Sequence, residues 1–210
     1  MNLTQMRTMV RRDLHDEDVE NYRWSDDELD RHIAHAVSDF SEAVPYEQKA
    51  IVPTTEGSRE IDIASLSDRI MVEAVEYPLN SFPKIFQRFA IWENTLTLLG
   101  DDVPDGSDCC IYYGKLHTMD ANTSTIPPRL EDLIAIGAAG YAQVEWAAFA
   151  INQVNLGGTE TPSIFSEQGQ QKLSHFRREL KRLGRRSRVR QNRLYTPAAM
   201  IMGKTTDPGP

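Results

Sequence analysis

Cysteine is almost missing from this sequence. There are two in 210 residues, Cys109 and Cys110, and they are neighbours. Adjacent cysteines rarely bridge each other and lack the spacing of a zinc or redox motif, which argues against a disulfide scaffold and a thiolate metal site. Two reduced thiols on opposite faces of a strand are the expectation. A chain of this length removes roughly 70% of its unfolded surface from water on folding, so it needs no covalent staple. Long apolar runs are scarce too, and none approaches the ~20 residues that span a bilayer. The opening MNLTQMRTMVRRDL alternates polar and apolar residues without a secretory h-region, so synthesis and use in the cytoplasm, with no membrane partner, are expected. No repeat or heptad extends far enough for a solenoid or coiled coil.

Catalytic motifs are missing as well. There is no G-x-G-x-x-G, Walker A loop, G-x-S-x-G elbow or HExxH pair. The histidines are His15, His32, His35, His117 and His175, and His32 and His35 read as polar flank residues of a helix. The acidic clusters Asp16-Glu17-Asp18, Asp26-Asp27-Glu28 and Asp101-Asp102 are explained as exposed connector, helix cap and turn. Gly157-Gly158-Thr159 is too short to imply phosphate binding. The expectation is a non-enzyme with no catalytic residues, no metal and no cofactor.

What the chain does have is charge segregation. Its formal charge is −8, yet ten Lys/Arg and one acid, Glu179, between Lys172 and Arg193 give +9 and leave −17 elsewhere. Such a split makes one end cationic and the body anionic. Arg177, Arg178, Lys181 and Arg182 form a basic helix face. Arg185, Arg186, Arg188, Arg190 and Arg193 follow, interleaved and trailed by Leu194, Tyr195, Met200, Ile201 and Met202. Repeated cations can neutralise phosphates. Apolar residues among them suit a protein groove better, and no helix is set to read bases.

Along the chain, a first helix starts near Thr4 with Met6, Met9, Val10 and Leu14 on one face. Trp24-Ser25-Asp26-Asp27-Glu28-Leu29 then carries a capping box between Ser25 and Glu28 and a hydrophobic staple between Trp24 and Leu29. The second helix runs to Pro45. The hydrophobic period then shortens from 3.6 to 2, with strands predicted at 50–53, 59–63, 70–76, 86–92, 95–99 and 109–116, joined by turns dense enough for antiparallel hairpins. Helix returns after Pro127-Pro128 and ends near Gly157-Gly158, and the small residues Gly137-Ala138-Ala139-Gly140 at its centre permit another helix to approach closely. A last helix, 163–183, carries the seam Leu173, Phe176, Leu180 and Leu183 and stops at Gly184. The fold class is therefore α+β. An antiparallel helical bundle (1–46 and 126–184) carries an inserted small antiparallel β-sheet or sandwich (47–125) and an extended basic and apolar C-terminal arm (185–210).

The order of these elements, the Trp24-to-Leu29 helix start and the phrase Gly57-Ser58-Arg59-Glu60-Ile61-Asp62 together resemble the head–tail adaptor (connector) proteins of tailed bacteriophages. The likeness spans nearly the whole chain through short motifs. The β insertion makes it similar to the longer adaptors, such as tail tubular protein A of short-tailed phages. The resemblance implies a structural virion protein of the neck, made in the host cytoplasm. Twelve copies would form a ring that docks on the portal protein and links it to tail or nozzle proteins. Double-stranded DNA would pass through the channel without sequence-specific binding, along an anionic wall. By position, Arg185, Arg186, Arg188, Arg190, Arg193, Leu194, Tyr195, Met200, Ile201 and Met202 would dock on the portal, where Arg–carboxylate forks orient and buried aromatics anchor. The alternative is a DNA-binding regulatory or packaging protein using the basic C-terminal helix and tail.

Overall fold

The computed structural model describes residues 1–100, 103–150 and 161–203, with side chains as far as Arg185. The fold is α+β, with four helices and two small antiparallel sheets. The chain divides into two compact units, one of Met1–Val44 and His117–Gly184, the other of Pro45–Leu116 and Arg185–Pro210.

The first unit contains α1 (Leu3–Leu14), α2 (Asp26–Ala43), α3 (Glu131–Ala150) and the first half of α4 (Thr161–Gly203). Both early helices are closed by capping boxes, Asn2 with Gln5 on α1 and Ser25 with Glu28 on α2, so orphan amides of each first turn find partners. Their buried stripes are Met6, Val10 and Leu14 on α1 and Leu29, Ile33, Ala36, Val37 and Phe40 on α2. Helix α3 contacts both, and α4 adds Phe176 and Leu180 to the same core. The small centre of α3 is where α4 comes close. A Cβ on Gly137 would lie 3.0 Å from the Phe176 ring, and one on Gly140 would lie 3.0 Å from Leu173 Cγ and 3.2 Å from the Gly169 carbonyl oxygen. Among the described residues, Pro128–Ala150 is the single helix long and apolar enough to cross a membrane, which the sequence reading did not anticipate. Its apolar window is 61% buried within the protein, as in a core helix.

The second unit holds β1 (Tyr46–Pro53), β2 (Glu60–Asp62), β3 (Arg69–Glu76), β4 (Phe86–Gln87), β5 (Phe89–Trp92), β6 (Thr95–Leu98) and β7 (Asp108–Lys115). The sheets have the orders β1-β7-β3-β4 and β2-β6-β5, with all neighbours antiparallel. The single run expected over 86–92 is two strands, because at Arg88 the chain leaves β3 for β6, and the Arg88 carbonyl accepts from the Leu99 amide at 2.8 Å. One core serves both sheets: Val52, Ile111 and Cys109 from the first meet Ile61, Leu96 and Leu98 from the second. Cys109 pairs with Val52 on this inner side, and Cys110 pairs with Ile51 and Glu76 on the opposite face. Both thiols are free and buried, and burial pushes Cys109 up to about 11.

Three expectations need correction. The segment from Arg185 to Gly203 is not extended: α4 continues through it. Gly184 is no stop signal, because a Cβ there would sit 3.1 Å from the Ala43 carbonyl oxygen, so glycine serves close packing inside the helix. The Arg, Gln, Leu, Ala and Met beyond it are good helix formers. Second, residues 117–125 belong with the helices and not with the β insertion. The His117 ring packs on Phe40 at 5.0 Å, its Nε2 lies 3.1 Å from the Val44 carbonyl oxygen, and its amide donates to Ser41 Oγ at 2.9 Å. Third, Asp16 is not part of an exposed connector. It is 6% exposed and accepts from Arg11, itself 6% exposed, at 2.6 Å. The expected end of α3 near Gly157-Gly158 and the Asp101-Asp102 turn lie outside the described residues.

Candidate functional site

The outward face of α4 starts from helical spacing. Leu173, Phe176 and Leu180 are buried at i, i+3 and i+7, with Leu183 packed against the same core. The positions between them face solvent, and there the chain places Arg177, Arg178, Lys181, Arg182 and Arg185, all exposed. Offsets of 0, 1, 4, 5 and 8 put them on one stripe about 12 Å long at 1.5 Å per residue. Lys172 is different. It is half-buried, donates to the Asp13 carbonyl oxygen at 3.1 Å, and burial holds its pKa below the ordinary lysine value despite the Asp13 charge.

The cations are not equally committed. Arg182 Nε donates to Glu179 Oε2 at 2.8 Å, and Arg178 Nη2 lies 2.9 Å from His175 Nδ1. Arg177 borders a shallow depression of about 340 Å³ whose other walls are Asp39, Glu42, Ala43 and Leu180. Beside it Tyr141 Oη donates to Asp39 Oδ2, and His35 stacks on the Tyr141 ring at 4.1 Å and 10°. Burial first, then the bond to Asp39, pushes the Tyr141 phenol above its ordinary value. Lys181 and Arg185 have no ion pair among the described residues.

Of the residues expected to dock, Arg185 is described and exposed. The side chains of Arg186, Arg188, Arg190, Arg193, Leu194, Tyr195, Met200, Ile201 and Met202 lie outside the described residues. Trp24, Ser25, Glu28 and Leu29 form the start of α2: Ser25 Oγ accepts from the Glu28 amide at 3.3 Å, Glu28 accepts from the Ser25 amide at 2.7 Å, and Trp24 and Leu29 are buried.

The sequence reading missed two polar groupings. His32, expected at a polar flank, is 4% exposed, with Nε2 3.3 Å from Glu145 Oε2, and burial lowers its pKa. The i, i+4 spacing of His35 and Asp39 was the visible trace of the Tyr141 cluster, but its α3 and α4 members are distant in sequence. Among the described residues no three His, Cys, Asp or Glu side chains gather to hold a metal ion. No protein-family model matches the chain, and no protein of curated function is similar to it in sequence.

Proposed function

We propose that the chain is a structural protein of the phage head–tail joint, a ring-forming adaptor that docks on the portal and links it to tail proteins. The observation that carries this reading is the cationic stripe Arg177–Arg185, held outward by a buried seam on the same helix. In the proposed assembly the helical unit is an antiparallel bundle packed side by side with its copies around a DNA channel. The β unit faces the tail machinery, and the basic end of α4, continuing as a helical arm, grips an anionic portal surface. The order of two helices, a β unit and two further helices supports it, as does the −17 carried outside the cationic segment.

Native mass spectrometry and electron microscopy of the full chain mixed with the portal protein of its own genome test the proposal. Rings on the portal are expected. Reversing Arg178, Lys181 and Arg185 to Glu should abolish them while circular dichroism stays unchanged; unchanged binding by that variant would remove the proposal's support. Lys181 and Arg185, without an ion pair among the described residues, also fit the alternative reading, non-specific duplex DNA binding. That reading requires a gel shift whose affinity falls steeply between 50 and 200 mM salt, of the order of 10³-fold or more for six or more phosphate contacts.

A further inference from the structure

The two sheets end in the edge strands β1, β4, β2 and β5. Three of these carry features that discourage pairing with another chain. β1 has Lys49 and Pro53, β2 has the exposed Glu60 and Asp62, and β4 is only two residues long. β5 is the exception among the described residues. It reads Phe89-Ala90-Ile91-Trp92, without a charge or a proline, and it is bare: Trp92 is 83% exposed and Ile91 38%.

The register decides which way its backbone points. The Leu99 amide donates to the Arg88 carbonyl oxygen at 2.8 Å, so Arg88 and Leu99 are a hydrogen-bonded pair. Such pairs alternate along an antiparallel ladder. Ala90 and Trp92 therefore exchange bonds with Thr97 and Thr95 of β6, while Phe89 and Ile91 turn their N–H and C=O groups to the open side. Among the described residues no backbone group meets them there. Side chains divide in the same rhythm. Phe89 and Ile91 stand opposite Leu98 and Leu96 on the core side, and Arg88, Ala90 and Trp92 take the outer face. Arg88 and Glu93, which flank the strand, are exposed and have no ion pair among the described residues.

Turned about a two-fold axis through Ala90, this strand is its own complement. Phe89 then faces Ile91 of the other copy as a hydrogen-bonded pair, which satisfies the open backbone groups on both sides. Arg88 faces Trp92 as a non-hydrogen-bonded pair, where Cα atoms approach to about 4.5 Å and side chains lie closest. A guanidinium over an indole face is an attractive cation–π pair, and Glu93 follows Trp92 with the opposite charge. Ala90 meets Ala90 on the axis, so no bulk clashes there. A register centred on Phe89 or Ile91 instead sets Arg88 or Trp92 against Ala90 and loses the pair.

We infer that β5 pairs antiparallel with β5 of a second copy about a two-fold axis at Ala90, joining their three-stranded sheets into one continuous sheet. The same patch serves on both copies, so the contact is isologous and closes at two. It uses residues of the β unit alone and does not rest on the proposed adaptor role. A contact this small belongs to the weak, transient class, so dimers form at the upper end of a concentration series.

Sedimentation velocity of the full chain up to about 1 mM tests it, with Trp92→Arg and the double variant Arg88→Trp, Trp92→Arg. The unmodified chain should dimerise. Trp92→Arg sets arginine against arginine and should weaken the dimer at least about tenfold. The double variant exchanges the members of the pair and should recover it, which a merely structural role of Trp92 would not predict. Mild oxidation reads the axis. The native thiols are buried, and Ala90→Cys should give a disulfide-linked dimer, because the separation of a non-hydrogen-bonded pair lies within disulfide range. Glu60→Cys, exposed two strands away in the same sheet, should not. A chain monomeric at every concentration overturns the inference. So does a Trp92→Arg variant that dimerises like the unmodified chain, a double variant no better than Trp92→Arg, or equal cross-linking of the two cysteine variants. None of these outcomes bears on portal binding, which the α4 variants test.

Discussion

Asp16 and Arg11 hold the connector between α1 and α2 as a single knot. Asp16 accepts from Arg11 at 2.6 Å and from the Arg23 amide at 2.7 Å, while Arg11 also donates to the Trp24 carbonyl oxygen at 3.0 Å and lies 3.5 Å from the centre of the Tyr22 ring. Removing one partner of a buried pair leaves the other charge uncompensated, which costs several kcal/mol, although Asp26 at 2.8 Å remains to Arg11. Asp16→Ala should therefore lose about 3 kcal/mol, read as a lower urea midpoint with an unchanged slope.

Two histidines set a pH dependence at the same scale. Burial lowers the pKa of His32, against the pull of Glu145, and it lowers that of His117. On acidification the unfolded chain takes up these protons first, near its ordinary imidazole value of about 6.5. The contribution of both groups is thus present above that value and is lost as pH falls through their depressed folded values. Urea midpoints should drop between about pH 7 and pH 5, and the double variant His32→Gln, His117→Gln should show a flatter profile in that window.

Elements depend on where side chains are missing as much as on where they are present. A Cβ on Gly169 of α4 would lie 2.8 Å from Val144 Cγ2 and 3.0 Å from the Gly140 carbonyl oxygen. Alanine is better than glycine in a helix by about 1 kcal/mol, but a backbone oxygen cannot step aside. Gly169→Ala should accordingly destabilise, by about 1–2 kcal/mol net, and thermal or urea unfolding will show the sign. The start of α2 behaves in the ordinary way. Ser25→Ala removes the acceptor of the Glu28 amide and should cost about 1 kcal/mol in the same assay. Its sequence cue is local, whereas the need for glycine at 140, 169 and 184 is imposed by a neighbouring helix or carbonyl that no window of sequence contains.

For the whole molecule, charge segregation is the property with consequences. The −17 outside the cationic segment and the +9 within it favour contacts between unlike surfaces, and salt weakens those contacts when they are exposed. Binding of the proposed anionic partner should weaken several-fold between 50 and 300 mM salt, and Lys181→Glu combined with Arg185→Glu should flatten that response in calorimetric titrations.

Local chemistry made part of this readable in advance. The Ser25–Glu28 cap, the apolar stripes of α1 and α2 and the alternation of β2 and β6 are local patterns, the last two with periods of 3.6 and 2 residues set by the geometry of the backbone itself. The face of Arg177, Arg178, Lys181 and Arg182 on α4 was readable for the same reason, whereas the sequence pattern puts Arg185 in an extended arm and the structure keeps it in the helix. Tertiary structure alone decided the rest. It broke the run 86–92 between two sheets at Arg88 and buried Asp16 and His32. It also kept Gly184 inside a helix. Each of those outcomes turns on a partner far away in the chain, and desolvation, close approach and charge pairing act on distance in space, not on order in sequence.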